Sequence, residues 1–254
     1  MTELEKYRKQ IDEADNELLD LFFTRMQAVS EIARIKRENA LPVEDINRER
    51  QLIKDKLTGV CESSSNEYVE RFFEFLIGES KRLQRSMFNI YLTGMPYSGK
   101  STLLKQLNMQ SKRRCADTDD LIEESAGMSI AKIFERYGEN TFRKLETEVL
   151  KATASSGSTI VATGGGILTQ KENLSIIKNS GYCILCDRKL EKLRETYKKS
   201  KGRKRPKIKN EEDLEILYFE RFKLYRETAD LIINPDDRTA LSQICEFMKE
   251  KELV

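Results

Sequence analysis

Apolar side chains between residues 3 and 37 recur at helical spacing (Ile11, Ala14, Leu18, Leu21/Phe22, Val29, Ile32), and neither Gly nor Pro interrupts them. The pattern predicts one helix roughly 50 Å long at ~1.5 Å per residue. Leu41-Pro42-Val43 breaks it, and Asp45 is placed to cap a second helix over residues 46–57. Cys61-Glu-Ser-Ser-Ser-Asn66 reads as a polar loop. A third helix over residues 67–85 has Phe72, Phe73, Leu76 and Ile77 as its core, with Ser80 and Gln84 one turn apart. From residue 88 the pattern changes to short apolar runs: 88–93, a short strand from Arg114 ending in the carboxylates of Asp117, Asp119 and Asp120, then 159–163, 181–186 and 230–234. Helical stretches at 103–107, 129–134, 140–151, from 190 and over 211–227 separate them. Strands alternating with helices predict a parallel sheet covered on both faces, with ligands at the strands' C-terminal ends. The chain is thus expected to hold an all-α domain at 1–86 and an α/β domain at 87–254, joined without a Gly/Pro linker.

On the first helix, Arg25 and Lys36 fall in the middle of the apolar stripe, about 20° apart at about 100° per residue. Two cations facing a core are costly unless an anion meets them. Arg8 lies about 100° from Arg25 on the same wheel, so it cannot easily serve the same pocket within one chain. A helix this long exceeds what a small domain can cover, which points to pairing with a second copy. Asp45, Arg48 and Glu49 share one face of the second helix.

Gly94-Met-Pro-Tyr-Ser-Gly-Lys100-Ser101-Thr102 stands between an apolar run and a helical one. That is the strand, glycine loop and helix setting of the phosphate-binding G-x-x-x-x-G-K-S/T motif. Loop amides form an anion nest at a helix N-terminus, where the dipole adds partial positive charge. Gly94, Ser98, Gly99, Lys100, Ser101 and Thr102 are the expected nucleoside triphosphate contacts, with Lys100 reaching the terminal phosphates and Ser101 holding Mg²⁺.

Composition narrows the chemistry. The 254 residues carry a net charge of +2 and are 35% charged, so no global field argues for nucleic acid. No apolar run approaches the ~18 residues of a membrane span, and a cytoplasmic protein is expected. The sequence has no histidine, which excludes Ser-His and Cys-His nucleophiles and leaves carboxylates or lysines as bases. Cys183-Ile-Leu-Cys186 lies in a strand-like run with no second ligand pair, so core packing is expected there. The basic stretch Lys198–Lys209 reads as a poorly ordered segment, more in keeping with a phosphate-covering lid than with a solvated loop or a nucleic-acid patch.

The segments Tyr7-Arg8-Lys-Gln-Ile-Asp, Asp15-x-x-Leu18-Leu19-x-Leu21, Arg25, Lys36 and Pro42-Val-x-Asp45-x-x-Arg48-Glu49-Arg50 resemble the all-helical chorismate mutases. The resemblance implies an intertwined dimer with two sites at its interface. By it, Arg25 and Arg48 would bind the carboxylates of chorismate, with Arg8 arriving from the partner chain. Lys36 and Gln84 would hydrogen-bond the ether oxygen, and Asp45, Glu49 and Ser80 would contact the ring hydroxyl or orient neighbours. The rearrangement to prephenate needs a held dianion and stabilised charge on a breaking C–O bond, not a nucleophile or metal.

The second half is similar to the shikimate kinases. The matching residues are Asp117-Thr-Asp119-x-x-Ile122-Glu123, Gly138-Glu-x-x-Phe142-Arg143-x-x-Glu146, Gly164-Gly165-Gly166, Arg205-Pro206 and Arg221-x-x-x-Tyr225. The resemblance implies ATP and Mg²⁺, Asp119 as base at the acceptor hydroxyl, and Arg143 and Arg221 as a clamp on the shikimate carboxylate. It further implies a backbone contact from Gly165, Arg205 at the transferring phosphate, and Asp117 supporting Mg²⁺ through water. Tyr97 departs from the family, which usually has glycine there, and no residue matches the arginine expected to stack on adenine. The expected protein is therefore a fused mutase and kinase. Its rivals are a kinase with a merely dimerising helical module, a kinase for another polyol such as gluconate, and an ATP-dependent nucleic-acid binder.

Overall fold

The computed structural model describes residues 2–58, 66–200 and 206–253. Most of the expected polar loop after Cys61, and Arg205 of the basic stretch, lie outside these residues. The chain divides into two compact units, Met1–Ile35 with Val43–Gln84, and Lys36–Pro42 with Arg85–Val254.

The first unit is helical. Helix α1 (Glu3–Glu38) begins with Glu3 and Glu5 and ends with Lys36 and Arg37, charges that complement its dipole. Helix α2 (Ile46–Leu57) is capped by Asp45, whose carboxylate accepts from the Arg48 amide at 3.0 Å. Helix α3 (Asn66–Ser86) buries Leu76, Ser80 and Gln84. The expected core needs correction within a single chain. Ile11, Leu18, Leu21 and Ile32 of α1 are exposed, and so is Phe72 of α3, while Val29, Ala33 and Leu76 are buried. Two short helices of one chain cannot cover the length of a 36-residue helix.

The second unit is a five-stranded, wholly parallel sheet in the order β2-β3-β1-β4-β5. The strands are β1 (Asn89–Thr93), β2 (Arg114–Asp117), β3 (Thr159–Ala162), β4 (Gly181–Cys186) and β5 (Leu231–Ile233). Between them run α4 (Lys100–Gln110), α5 (Thr118–Ala126), α6 (Ile130–Ser156), α7 (Lys171–Ser180), α8 (Leu190–Lys199) and α9 (Glu211–Thr228), with α10 (Ala240–Glu250) following β5. Every residue of β1 is buried, as a central parallel strand covered on both faces requires. Inside it, the Tyr91 hydroxyl meets the Ser180 hydroxyl at 2.7 Å and accepts from the Asn89 amide at 3.0 Å. Cys183 and Cys186 pack in β4, where burial pushes both thiols up to about 12.

Three local expectations change and one holds. Asp119 and Asp120 belong to the first turn of α5, not to a strand, because Asp117 caps that helix by accepting from the Asp119 amide at 3.0 Å. The two helices expected at 129–134 and 140–151 are present, as segments of Ile130–Ser156 that meet at Gly138, whose φ is 76°. Lys198 and Lys199 finish α8, and Ile208 is buried in the core, so these parts of the basic stretch are ordered. Helices α7 and α10 carry no element in the sequence reading, although Ile244, Phe247 and Met248 of α10 are buried at helical spacing.

Candidate active sites

The phosphate loop joins β1 to α4. Gly99, with φ at 90°, precedes α4, and the first turn of α4 carries no acidic residue. The positive end of its dipole therefore faces the loop without a carboxylate of its own, a setting suited to an anion. The Lys100 ammonium is buried and donates to the carbonyls of Gly94 at 2.9 Å and Met95 at 2.8 Å, and to the Ser98 hydroxyl at 3.4 Å. Ser101 Oγ donates to Asp117 Oδ2 at 2.8 Å. Burial raises the Asp117 carboxyl above its ordinary range, neighbouring Asp119 adds to that, and the Ser101 bond opposes it. Ser98, Lys100, Ser101 and Asp117, together with Arg188 and Asp236, line a groove of 480 Å³.

A second cavity, of 470 Å³, is lined by Asp119, Arg143, Glu146, Gly165, Ile208 and Arg221 among others. Asp119 lines both spaces. Arg143 comes from α6, where it donates to Glu146 at 2.6 Å and to Glu139 at 3.2 Å. Glu146 is 1% exposed. Burial raises its carboxyl, against the pull of Arg143. Burial also works against the Arg143 charge, but Glu146 and Glu139 raise its pKa above the ordinary value. Arg221, on α9, donates to the Gly165 carbonyl, as does the buried Tyr225 hydroxyl.

The glycine run after β3 admits these groups at close range. A Cβ on Gly164 would stand 2.9 Å from a Glu146 oxygen and 3.0 Å from an Asp119 oxygen. One on Gly166 would meet the Arg143 guanidinium at 2.8 Å. Side chains at either position would displace the charged groups around the second cavity.

In the helical unit, Arg25 Nη1 donates to the Leu76 carbonyl at 3.0 Å and to the Ser80 hydroxyl at 2.5 Å. Burial lowers the Arg25 pKa. Gln84 Nε2 donates to the Ser80 carbonyl at 3.2 Å, and its buried Oε1 has no hydrogen-bond partner among the described residues. Glu49 pairs with Lys81 at 3.0 Å. One chain thus brings Arg25, Ser80 and Gln84 together. Asp45 is occupied as the α2 cap, Arg48 and Arg8 are exposed, and Lys36 is half-buried near the end of α1.

Three features of the second unit had no role in the sequence reading. Glu146 holds Arg143, and Arg188 and Asp236 border the phosphate-loop groove. Arg188 stands two residues beyond the end of β4, so the rule placing ligands at strand C-termini was a signal for it.

Residues 96–251 match the family model described as Shikimate kinase, and residues 7–85 match Chorismate mutase type II. A shikimate kinase of Clostridium botulinum (strain Okra / Type B1) is 36% identical over 166 residues, spanning 65% of this chain and 98% of that protein. One from Clostridium beijerinckii is 38% identical over 148 residues, 58% of this chain and 85% of that one. Among solved structures, shikimate kinase from Acinetobacter baumannii in complex with shikimate aligns with a TM-score of 0.61 at 31% identity, covering 67% of this chain and 97% of that one. The Aquifex aeolicus enzyme aligns at 0.56 and 29% identity, covering 65% and 98%. With a phosphate loop, a parallel five-stranded sheet and an arginine-lined cavity at its ligand edge, the chain belongs to the shikimate kinase family, and it carries a chorismate mutase type II domain ahead of the kinase.

Proposed function

We propose that the chain is a bifunctional enzyme of aromatic amino-acid biosynthesis: residues 1–86 rearrange chorismate to prephenate, and residues 87–254 phosphorylate shikimate with ATP. The observation that carries the kinase reading is the position of Asp119, lining both the phosphate-loop groove and the arginine-lined cavity. A carboxylate at that junction can take the proton of an acceptor hydroxyl as the hydroxyl attacks the γ-phosphate. Arg143 and Arg221 provide guanidinium forks suited to the shikimate carboxylate, and the Gly165 backbone borders the same space. Lys100 and the loop amides carry the phosphate charge, and Arg205 is assigned to the transferring phosphate by resemblance. Pro206 and Ile208 line the acceptor cavity, where apolar cover keeps water from competing for the phosphoryl group.

ATP is the cosubstrate that the family implies. Mg²⁺ fits the donor set: a hydroxyl and a buried carboxylate, Ser101 and Asp117, beside a second carboxylate that raises the first. Such hard oxygen donors, few in number, suit an ion that keeps several waters and binds phosphate oxygens. When bound, it would neutralise charge on the phosphates.

In the mutase domain, Arg25 and Arg48 bind the carboxylates of chorismate, with Arg8 contributed by a second copy in a homodimer. Lys36 and Gln84 stabilise negative charge on the ether oxygen, and Asp45, Glu49 and Ser80 hold the ring hydroxyl and neighbouring groups. The buried Gln84 amide and its unpartnered oxygen support a polar ligand there. Assaying both reactions on the full chain tests the proposal directly. Prephenate formation and shikimate-dependent ADP release are both expected. Absence of prephenate would reduce the helical domain to a dimerising module, and ATP turnover with gluconate in place of shikimate would change the acceptor.

A further inference from the structure

Tyr97 occupies the phosphate loop with φ at +68°, in the left-handed region that non-glycine residues enter at a cost. Such a conformation persists only where its surroundings fix it, and two contacts, each braced from behind, do so here. Arg188 Nη1 donates to the Tyr97 carbonyl at 2.9 Å. The same guanidinium is clamped by Asp236, with Nε at 3.0 Å from one carboxylate oxygen and Nη2 on the other, a two-point pairing that leaves little rotational freedom. The Tyr97 ring packs edge-on against Tyr197, with centroids 5.7 Å apart. The Tyr197 hydroxyl in turn donates to the Lys209 carbonyl at 2.9 Å. The guanidinium lies so close to the loop that a Cβ on Gly99 would stand 3.4 Å from its Nη2.

We propose that Arg188, oriented by Asp236, is a positioning residue for the phosphoryl-transfer site. It holds the Tyr97 peptide in its left-handed conformation so that the following amides, from Gly99 to Ser101, converge on the nucleotide phosphates, while the Ser98 amide closes the turn on the Met95 carbonyl at 3.1 Å. The proposed brace runs from β4 and β5, which carry Arg188 and Asp236 just beyond their C-terminal ends, to the loop leaving β1. It rests on the reading of this loop as the ATP site. It adds that Tyr97 has made the loop dependent on a brace that a glycine would not need.

A two-by-two set of full-length variants tests it: parent, Arg188→Ala, Tyr97→Gly, and both together. ATP-dependent phosphorylation of shikimate is measured along with ADP affinity by calorimetry. Activity of the parent chain tests the reading of the site, and the differences among variants test the brace. Arg188→Ala alone is expected to raise the KM for ATP and the Kd for ADP about tenfold, equivalent to about 1.4 kcal/mol, with the KM for shikimate unchanged. In the Tyr97→Gly background the same substitution is expected to change either value less than about twofold, because glycine adopts the conformation unaided. Asp236→Asn should reproduce the pattern in weaker form, and it serves if Arg188→Ala does not fold. Equal losses in both backgrounds would mean that Arg188 touches the nucleotide itself, and no loss in either would mean that the loop holds its shape alone. Either result overturns the proposal.

Discussion

Ser101 Oγ donates a 2.8 Å hydrogen bond to Asp117 Oδ2, tying the phosphate loop to the end of β2. The two oxygens converge where the proposed Mg²⁺ needs ligands, and burial with Asp119 nearby already strains the Asp117 charge. Asp117→Asn keeps the shape and removes the charge. Its effect should be a 10- to 100-fold loss in kinase kcat/KM, as for outer-shell groups around other metal sites. More Mg²⁺ should be needed for half-maximal rate. A Mg²⁺ titration of shikimate-dependent turnover measures both, and an unchanged titration would separate Asp117 from the metal.

The two activities should be separable by single substitutions. Lys36→Ala removes the cation proposed to meet the ether oxygen, and should lower mutase turnover by roughly 10²- to 10³-fold or more while leaving shikimate phosphorylation intact. Lys100→Ala should do the reverse. Parallel assays on the two variants check this, and near-normal prephenate formation by Lys36→Ala would remove Lys36 from the mechanism.

Glu146 is buried against Arg143 at 2.6 Å and lies beside the glycine run. Glu146→Gln preserves volume but gives up the charged partner that aims the guanidinium. The KM for shikimate should rise about tenfold, with the KM for ATP little changed, because misdirected positioning groups cost binding and rate together. Equal rises in both constants would point to general loosening of the fold instead.

Much of this was legible in the sequence, for reasons that differ by element. The phosphate loop is local: its strand, glycines and helix are contiguous, so spacing alone identifies it. Arg25 and Lys36 stood out because helical periodicity places charge where the stripe is apolar. Arg188 and Asp236 did not, since their pairing joins the ends of two adjacent strands 48 residues apart. The exposed α1 stripe shows the opposite limit. Its residues satisfy the helical pattern, yet no single chain provides the surface that would cover them. Nor could a tyrosine in place of the loop's usual glycine be interpreted before the φ of Tyr97 and its contacts were known.

That exposed stripe makes dimerisation testable. Leu18 is 51% exposed in the single chain, and Ile11 and Leu21 are more so, an arrangement that marks an interaction surface. Leu18→Glu would place a charge in the proposed dimer seam, where an unpaired ion is costly. The variant should sediment as a monomer and lose mutase activity, because Arg8 of the second copy no longer reaches the site. Its kinase activity should persist. A monomeric variant with full mutase activity would show that one chain builds the whole site.

The alkaline limb of stability should report on β4. In the folded chain, burial holds Cys186 protonated up to about 12, whereas the ordinary thiol value is 9.0. Below pH 9 both folded and unfolded chains keep the proton, and the stabilising contribution is present in full. As pH rises above 9 the unfolded chain releases its proton first, so the contribution falls and is lost as pH passes through the folded value. The slope due to this one group should be about 1.4 kcal/mol per pH unit between those limits. Urea unfolding at pH 8, 9, 10 and 10.5 should therefore show a shallower decline for Cys186→Ala than for the parent, whatever the two stabilities at pH 8. Parallel declines would mean that the Cys186 thiol ionises in the folded chain as readily as in the unfolded one.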